Sequence, residues 1–161
     1  MIFAIEGFIL CIAFTLMVYA MSRDPIKTIY NYPPRIQERV LSLKEYEGMV
    51  PTNKEKLSTK LLASLFFVIV LSLILRFVNR CTGFPDAFMT GFGLWTIVNR
   101  YDAIVLDIIW FCHDPHFVIK GTEDMVSDYH DYMFHIKGFF IGEAIALAVC
   151  TIFALIVRYI M

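Results

Sequence analysis

Four long apolar stretches, separated by polar segments, dominate the pattern of this chain. They cover residues about 1–21, 61–78, 87–112 and 138–157. A helix needs about 20 apolar residues to cross the ~30 Å hydrocarbon core of a bilayer, and these stretches have that order of length. The pattern therefore predicts an all-α fold, an integral membrane four-helix bundle, that forms a single polytopic transmembrane domain over residues 1–161.

The third stretch, 87–112, differs from the others because polar residues interrupt its centre. Asn99, Arg100 and Asp102 stand between two apolar halves, and Asp107 follows in the second half. The segment is either one tilted helix whose polar middle faces the bundle, or one span followed by a second, partly buried helix. Ionisable groups inside a membrane usually face the bundle interior, and we prefer the single helix.

The polar segments indicate how the chain is oriented. Basic residues are concentrated in the loop 22–60, whereas the turn between the second and third stretches holds Arg80 alone. Because Lys and Arg accumulate in cytoplasmic loops, loops 22–60 and 113–137 are predicted to be cytoplasmic and both termini to lie outside. The membrane is expected to be the plasma (inner) membrane. Two loops on one side of it can close a site together.

A short amphipathic helix is predicted inside the first loop, over Arg35–Leu43. Ile36, Val40 and Leu43 recur at the spacing of one helical face, with charged residues around them. A helix of this kind can lie at the level of the lipid headgroups.

All four histidines lie within Cys112–His135, together with five acidic residues and one lysine. Imidazole and carboxylate groups bind zinc, iron and manganese, and they also carry protons near neutral pH. We therefore predict a divalent metal ion as a cofactor, held by His113, His116, Asp128 and His135. The competing interpretation is a solvated acidic loop.

The acidic part of this segment is predicted to be helical. Thr122 is a good N-cap, and a helix that begins there places Asp124, Asp128, Asp131 and His135 on one face. Carboxylates at this spacing repel one another, so the stripe requires a cation, a base or open water beside it.

Polar residues of the spans extend the candidate site into the membrane. Arg100, Asp107 and Asp114 follow at intervals of seven and so share a helix face. The structural interpretation is that Arg100 pairs with a carboxylate and holds the bundle together. The functional one assigns catalytic roles to Asp107, Asp114, Asp131 and His130. It assigns substrate binding to Arg100, Asp102 and Glu143, with Arg100 binding an anionic lipid group.

Small residues recur along the fourth stretch at intervals of four. They are Gly138, Gly142, Ala146 and Cys150. Such a stripe permits close approach of another helix. It is either a contact within the chain or a surface for self-association through Gly138, Gly142 and Ala146.

Composition narrows the class of protein. The chain is 58% hydrophobic and 18% charged, with a mean hydropathy of +0.65, which agrees with a lipid bilayer as its surroundings. Its net charge of −1 lacks the basic excess of a nucleic-acid-binding protein, so no nucleic acid is expected as a partner. The four cysteines form no CxxC pair, and the glycine-rich nucleotide loops and hydrolase elbows are absent from the sequence.

These observations favour a small membrane enzyme that acts at the cytoplasmic interface on a lipid-like substrate, through a metal ion or a His/carboxylate pair. A second hypothesis is a homo-oligomeric transporter or channel for protons or metal ions, with the intramembrane polar residues along its pathway. A third is a non-catalytic membrane subunit whose loops dock other proteins.

Overall fold

The computed structural model describes residues 2–52, 55, 65 and 67–160. This part of the chain is helical and contains no strand, which confirms the all-α prediction. The helices are α1 (Ile2–Ser22), α2 (Pro34–Ser42), α3 (Phe67–Val78), α4 (Phe84–Tyr101), α5 (Val126–Tyr129) and α6 (Tyr132–Tyr159). Short 3₁₀ turns lie between them at Ile29–Asn31, Lys44–Tyr46 and Pro115–Phe117.

Among the described residues, two segments are long and apolar enough to cross a membrane: α1, and the stretch Val126–Tyr159, which contains α6. The first was predicted at almost the same bounds. The second begins earlier than the predicted 138, because α6 already starts at Tyr132. In the predicted span 61–78 the structure describes the helix Phe67–Val78, and most of the preceding residues lie outside the described part.

The third predicted span forms one continuous helix, as preferred from the sequence. α4 passes directly into a π-helical segment, Asp102–Phe111, whose first residues keep helical backbone angles. A π-helix bonds each N–H to the carbonyl five residues back, as the 3.1 Å bond from the Cys112 N–H to the Asp107 carbonyl shows.

This change of helix type makes one sequence inference wrong. An interval of seven keeps residues on one face only in a regular α-helix, and the π segment alters the register. Arg100 is exposed, and Asp114 lies beyond the end of the helix in an extended conformation. The predicted shared face of Arg100, Asp107 and Asp114 is therefore not formed.

Helices α4 and α6 pack closely through small residues. Ala146 and Cys150 are fully buried. A Cβ added at Gly91 of α4 would meet the Cys150 Sγ at 3.9 Å, and one added at Gly142 would meet the side-chain amide of Asn99. A Cβ at Gly138, by contrast, would meet nothing within 4 Å. Most of the stripe is therefore a contact within the chain.

The two polar loops pack against each other and form what we call the cap, residues 23–52 and 112–131. Ile36 and Val40, the apolar face of α2, are fully buried in it. The helix predicted over Arg35–Leu43 is confirmed, and protein covers the apolar face that it was expected to turn toward lipid headgroups. The other buried members of this cluster are Ile26, Ile29, Tyr32, Phe111, Cys112, Phe117, Ile119, Met125 and Tyr129.

The continuous helix predicted from Thr122 to His135 is wrong. The Thr122 hydroxyl donates to the Ile119 carbonyl at 2.6 Å and lies 2.7 Å from the Tyr129 hydroxyl, so it ties the cap together instead of capping a helix. The chain forms the short α5 and then breaks, because the Asp131 carboxylate accepts the Phe134 N–H at 3.0 Å and begins α6 as its N-cap.

Candidate functional site

A cleft of about 700 Å³ opens where the long helices meet the cap. Its walls come from α1, the turn that follows α1, the end of α4, the π-helical segment, the turn Pro115–Phe117 and α6. Most of the lining is apolar and includes Phe14, Met17, Val18, Leu106, Phe139 and Ile141. The polar side chains among these walls include Asn99, Asp102, Asp107, His135 and Lys137. The cleft therefore combines mostly apolar walls with a small set of polar and ionisable groups, as small-molecule sites do.

Asp107 and His135 form a contact pair in this cleft. Asp107 Oδ2 lies 3.1 Å from His135 Nδ1. The His135 side chain is 3% exposed, whereas that of Asp107 is 33% exposed. His135 Nε2 has no hydrogen-bond partner among the described residues. A carboxylate beside Nδ1 favours the proton on that nitrogen, so the lone pair of Nε2 is left unpaired in a buried position.

The local structure explains how these groups come together. In the π-helical segment, Asp102 and Asp107 are separated by the five residues of one hydrogen-bonded turn, and both line the cleft. His135 lies in the first turn of α6, which the Asp131 cap positions. The edge of the Phe111 ring packs on the imidazole, with ring centroids 5.2 Å apart.

Glu143 lies deeper between α4 and α6 and is occupied by protein donors. Its Oε1 accepts from Asn99 Nδ2 at 2.8 Å, and its Oε2 accepts from Thr96 Oγ1 at 2.9 Å. Asn99 Nδ2 also donates to the Phe139 carbonyl at 3.1 Å. Glu143 thus fixes the side of the cleft that Asn99 lines, and it is Asn99 that reaches the cleft.

Asp114 and His116 connect the cap to the π-helical segment and to α1. The Asp114 carboxylate accepts the His116 backbone N–H at 2.9 Å and the Trp110 indole N–H at 2.8 Å. These two hydrogen bonds hold the pKa of Asp114 below its ordinary value. His116 Nε2 lies 3.0 Å from the Ser22 hydroxyl at the end of α1. Both residues have structural partners that account for their position.

His113 and His130 stack on the surface of the cap. Their ring centroids are 5.1 Å apart at an interplanar angle of 28°, and Tyr132 continues the stack. His113 Nδ1 lies 2.9 Å from the Ile108 carbonyl, and its Nε2 lies 3.4 Å from the Tyr132 hydroxyl. These contacts hold His113 and His130 outside the cleft.

The acidic residues of the cap pair with the basic first loop. Asp128 Oδ1 lies 2.9 Å from Arg35 Nη1, and Asp124 Oδ2 lies 3.2 Å from Arg39 Nη2. Two carboxylates of the predicted acidic stripe, Asp124 and Asp128, therefore pair with arginines of α2.

The residues predicted to hold a metal occupy four different surroundings. His113 is in the surface stack, His116 is on Ser22, Asp128 is on Arg35, and His135 is on Asp107. Within residues 2–52, 55, 65 and 67–160, no group of three or more His, Cys, Asp or Glu side chains is placed to hold a metal ion.

The structure brings together some of the predicted substrate and catalytic residues and separates others. Asp102, Asp107 and His135 line one cleft, whereas Arg100 is exposed and is not among the residues that line it. Sequence reasoning missed Asn99 and Lys137 as members of the site. The polar break at the centre of the third stretch indicated Asn99, but no sequence signal distinguished Lys137 from an ordinary surface lysine.

Comparison with known proteins finds no match for this chain: no protein-family model, no curated protein and no solved structure is significantly similar to it.

Proposed function

We propose that this protein is a membrane-embedded enzyme that performs acid–base chemistry on the polar headgroup of a lipid-like substrate. In this proposal α1, α3, α4 with its π-helical continuation, and α6 cross the bilayer, and the cap lies in the cytoplasm. The observation that carries the proposal is the Asp107–His135 pair, 3.1 Å apart, in the wall of a mostly apolar cleft. A single cleft can then hold an acyl chain and the reacting group together.

Each member of the pair has a distinct role. Asp107 orients the His135 ring, and in this proposal the buried His135 Nε2 takes a proton from the substrate and returns it. Burial of the imidazole keeps bulk water away from the transfer. Because the other predicted metal ligands have partners elsewhere, acid–base chemistry by this pair needs fewer rearrangements of the chain than a metal centre does.

The level of the cleft agrees with a headgroup site. Tyr19 and Trp110 stack near the cap end of α1 and of the π-helical segment, with ring centroids 6.4 Å apart. The Arg23 guanidinium lies over the Tyr19 ring at 5.4 Å. Aromatic and basic side chains collect at the boundary between hydrocarbon and headgroups, so the cleft would open at the depth of that boundary.

The test compares lipid turnover by two histidine variants. Purified protein is reconstituted into vesicles of a total polar lipid extract, and lipid species are followed by mass spectrometry. We expect wild-type protein to change at least one species and His135→Gln to abolish that change. The matched control is His130→Gln, which alters a histidine of the surface stack and should retain activity.

Two results would contradict the proposal. One is that wild-type protein changes no lipid species of the extract, either alone or when water-soluble co-substrates are added. The other is a conversion that persists in His135→Gln, since the Nε2 base would then not be required. A circular dichroism spectrum of each variant shows whether its helices are intact.

A further inference from the structure

We propose that the substrate headgroup carries a primary amine and that Asp102 binds its ammonium group. This inference rests on the proposed function for the location of the substrate, and it adds the chemistry of the headgroup and the residue that recognises it. It reverses the sequence-based expectation of an anionic headgroup held by Arg100, which is exposed and is not a lining residue of the cleft.

The charges of the cleft favour a cation over an anion. Two carboxylates, those of Asp102 and Asp107, line it together with His135. In the described part of the chain, the walls hold one lysine, the exposed Lys137, and no arginine. An anionic headgroup placed beside His135 would therefore meet two carboxylates, whereas an ammonium group would be attracted to both.

Asp102 is the carboxylate of the cleft to which no described residue donates a hydrogen bond. Asp107 has His135 at 3.1 Å, and Glu143 accepts from Asn99 and Thr96. No described side chain or backbone N–H donates a hydrogen bond to the Asp102 carboxylate, although the residue is only partly exposed. A carboxylate in a mostly apolar wall is costly unless it is paired, and a bound ammonium group supplies up to three donors.

The arrangement along the cleft fits an amphiphile in one orientation. From the cap inward, the walls run from His135 and Asp107 to Asp102, and then to apolar side chains such as Phe14 and Ile141. An alkyl chain that lies along these apolar residues brings an amine at its end next to Asp102 and within the reach of the Asp107–His135 pair.

The inference is tested by binding without turnover. Wild-type protein in phosphatidylcholine nanodiscs is titrated with dodecylamine, and in parallel with dodecan-1-ol and dodecanoate, by calorimetry with empty nanodiscs subtracted. We expect saturable binding of the amine, weaker binding of the alcohol and the weakest binding of the carboxylate. Asp102→Asn should weaken amine binding about ten-fold or more and change alcohol binding much less.

Asp86→Asn is the matched control, because Asp86 is an exposed carboxylate in the first turn of α4, far from the cap end. It should bind the amine as wild-type protein does. Dodecanoate binding as tight as amine binding, or unchanged amine binding in Asp102→Asn, would overturn the inference and leave the proposed function standing. Saturable binding of none of the three amphiphiles would overturn the proposed function as well.

Discussion

The side-chain amide of Asn99 lies directly against the backbone of Gly142. A Cβ at residue 142 would stand 2.5 Å from Asn99 Oδ1 and 3.0 Å from Nδ2. Because Asn99 also donates to Glu143 and to the Phe139 carbonyl, it has little freedom to move away. The absence of a side chain at Gly142 therefore sets how closely α4 and α6 approach beside the cleft.

Gly142→Ala should lower the free energy of unfolding by about 1–3 kcal/mol, as overpacking of a closed contact does. Gly138→Ala is the matched control, because a Cβ there meets nothing within 4 Å. It should be neutral or stabilising by up to about 1 kcal/mol through helix propensity. Thermal unfolding in detergent, followed by circular dichroism, measures both. Equal decreases in the free energy of unfolding of the two variants would show that the contact with Asn99 does not determine the effect of Gly142→Ala.

Asp107→Ala should destabilise the protein by about 1–3 kcal/mol, because it leaves the buried His135 ring without a partner on either nitrogen. Asp102→Ala should be neutral or stabilising, since it removes a carboxylate that no described residue pairs with. The same unfolding measurement compares them. If Asp102→Ala lowers the free energy of unfolding more than Asp107→Ala does, Asp102 and not Asp107 is the carboxylate that the fold depends on.

Asp114 should contribute an acid-sensitive part of the stability. Its pKa in the folded protein is held below the ordinary value of 3.8, first by the His116 backbone N–H and then by the Trp110 indole. A lowered folded-state pKa stabilises the protein fully above the unfolded pKa, and this contribution is lost as pH falls through the folded value. The midpoint temperature of unfolding should therefore differ less between pH 7 and a pH below about 4 in Asp114→Asn than in wild-type protein. An unchanged pH profile would contradict this assignment.

Both parts of the cap should face one side of the membrane, and the turn between α3 and α4 the other. Cysteines introduced at the exposed residues Met49 and Val126 should react from the cytoplasmic side with a membrane-impermeant maleimide, and one at Thr82 from the outer side. The native cysteines are buried and should give little background: Cys11, Cys81, Cys112 and Cys150. Labelling of Met49→Cys and Thr82→Cys from the same side would contradict the proposed arrangement.

The sequence predicted the helices well where their cause is local. The apolar run of α1 and the spacing of Ile36 and Val40 in α2 depend on hydrophobic periodicity, and both helices lie close to their predicted bounds. The break at Asp131 was missed because Thr122 offered an equally good cap in the sequence. The choice between the two depended on the contact of Thr122 with Tyr129 inside the cap.

Several residues of the candidate site could be predicted from the sequence, but their arrangement in space could not. Asp102 and Asp107 were predicted as site residues because they are ionisable residues in an apolar stretch, and His135 because it belongs to the segment rich in histidine and acidic residues. The π-helical turn that brings Asp102 and Asp107 to one cleft has no local sequence signal, so Arg100 was placed on the wrong face. The histidines and acids of the cap were grouped by their density, whereas His116, Asp124 and Asp128 have partners that lie far away in sequence, on α1 and α2.

The composition of the cap also determines when during synthesis it can fold, because its buried cluster joins residues that are far apart in the sequence. Ile36 and Val40 of α2 share their buried cluster with residues from Phe111 to Tyr129, which the ribosome makes only after α3 and α4. Until then the cluster is incomplete, and the apolar face of α2 lacks its later partners. Truncated chains that end before Phe111 should therefore be degraded faster than those that extend beyond Tyr129.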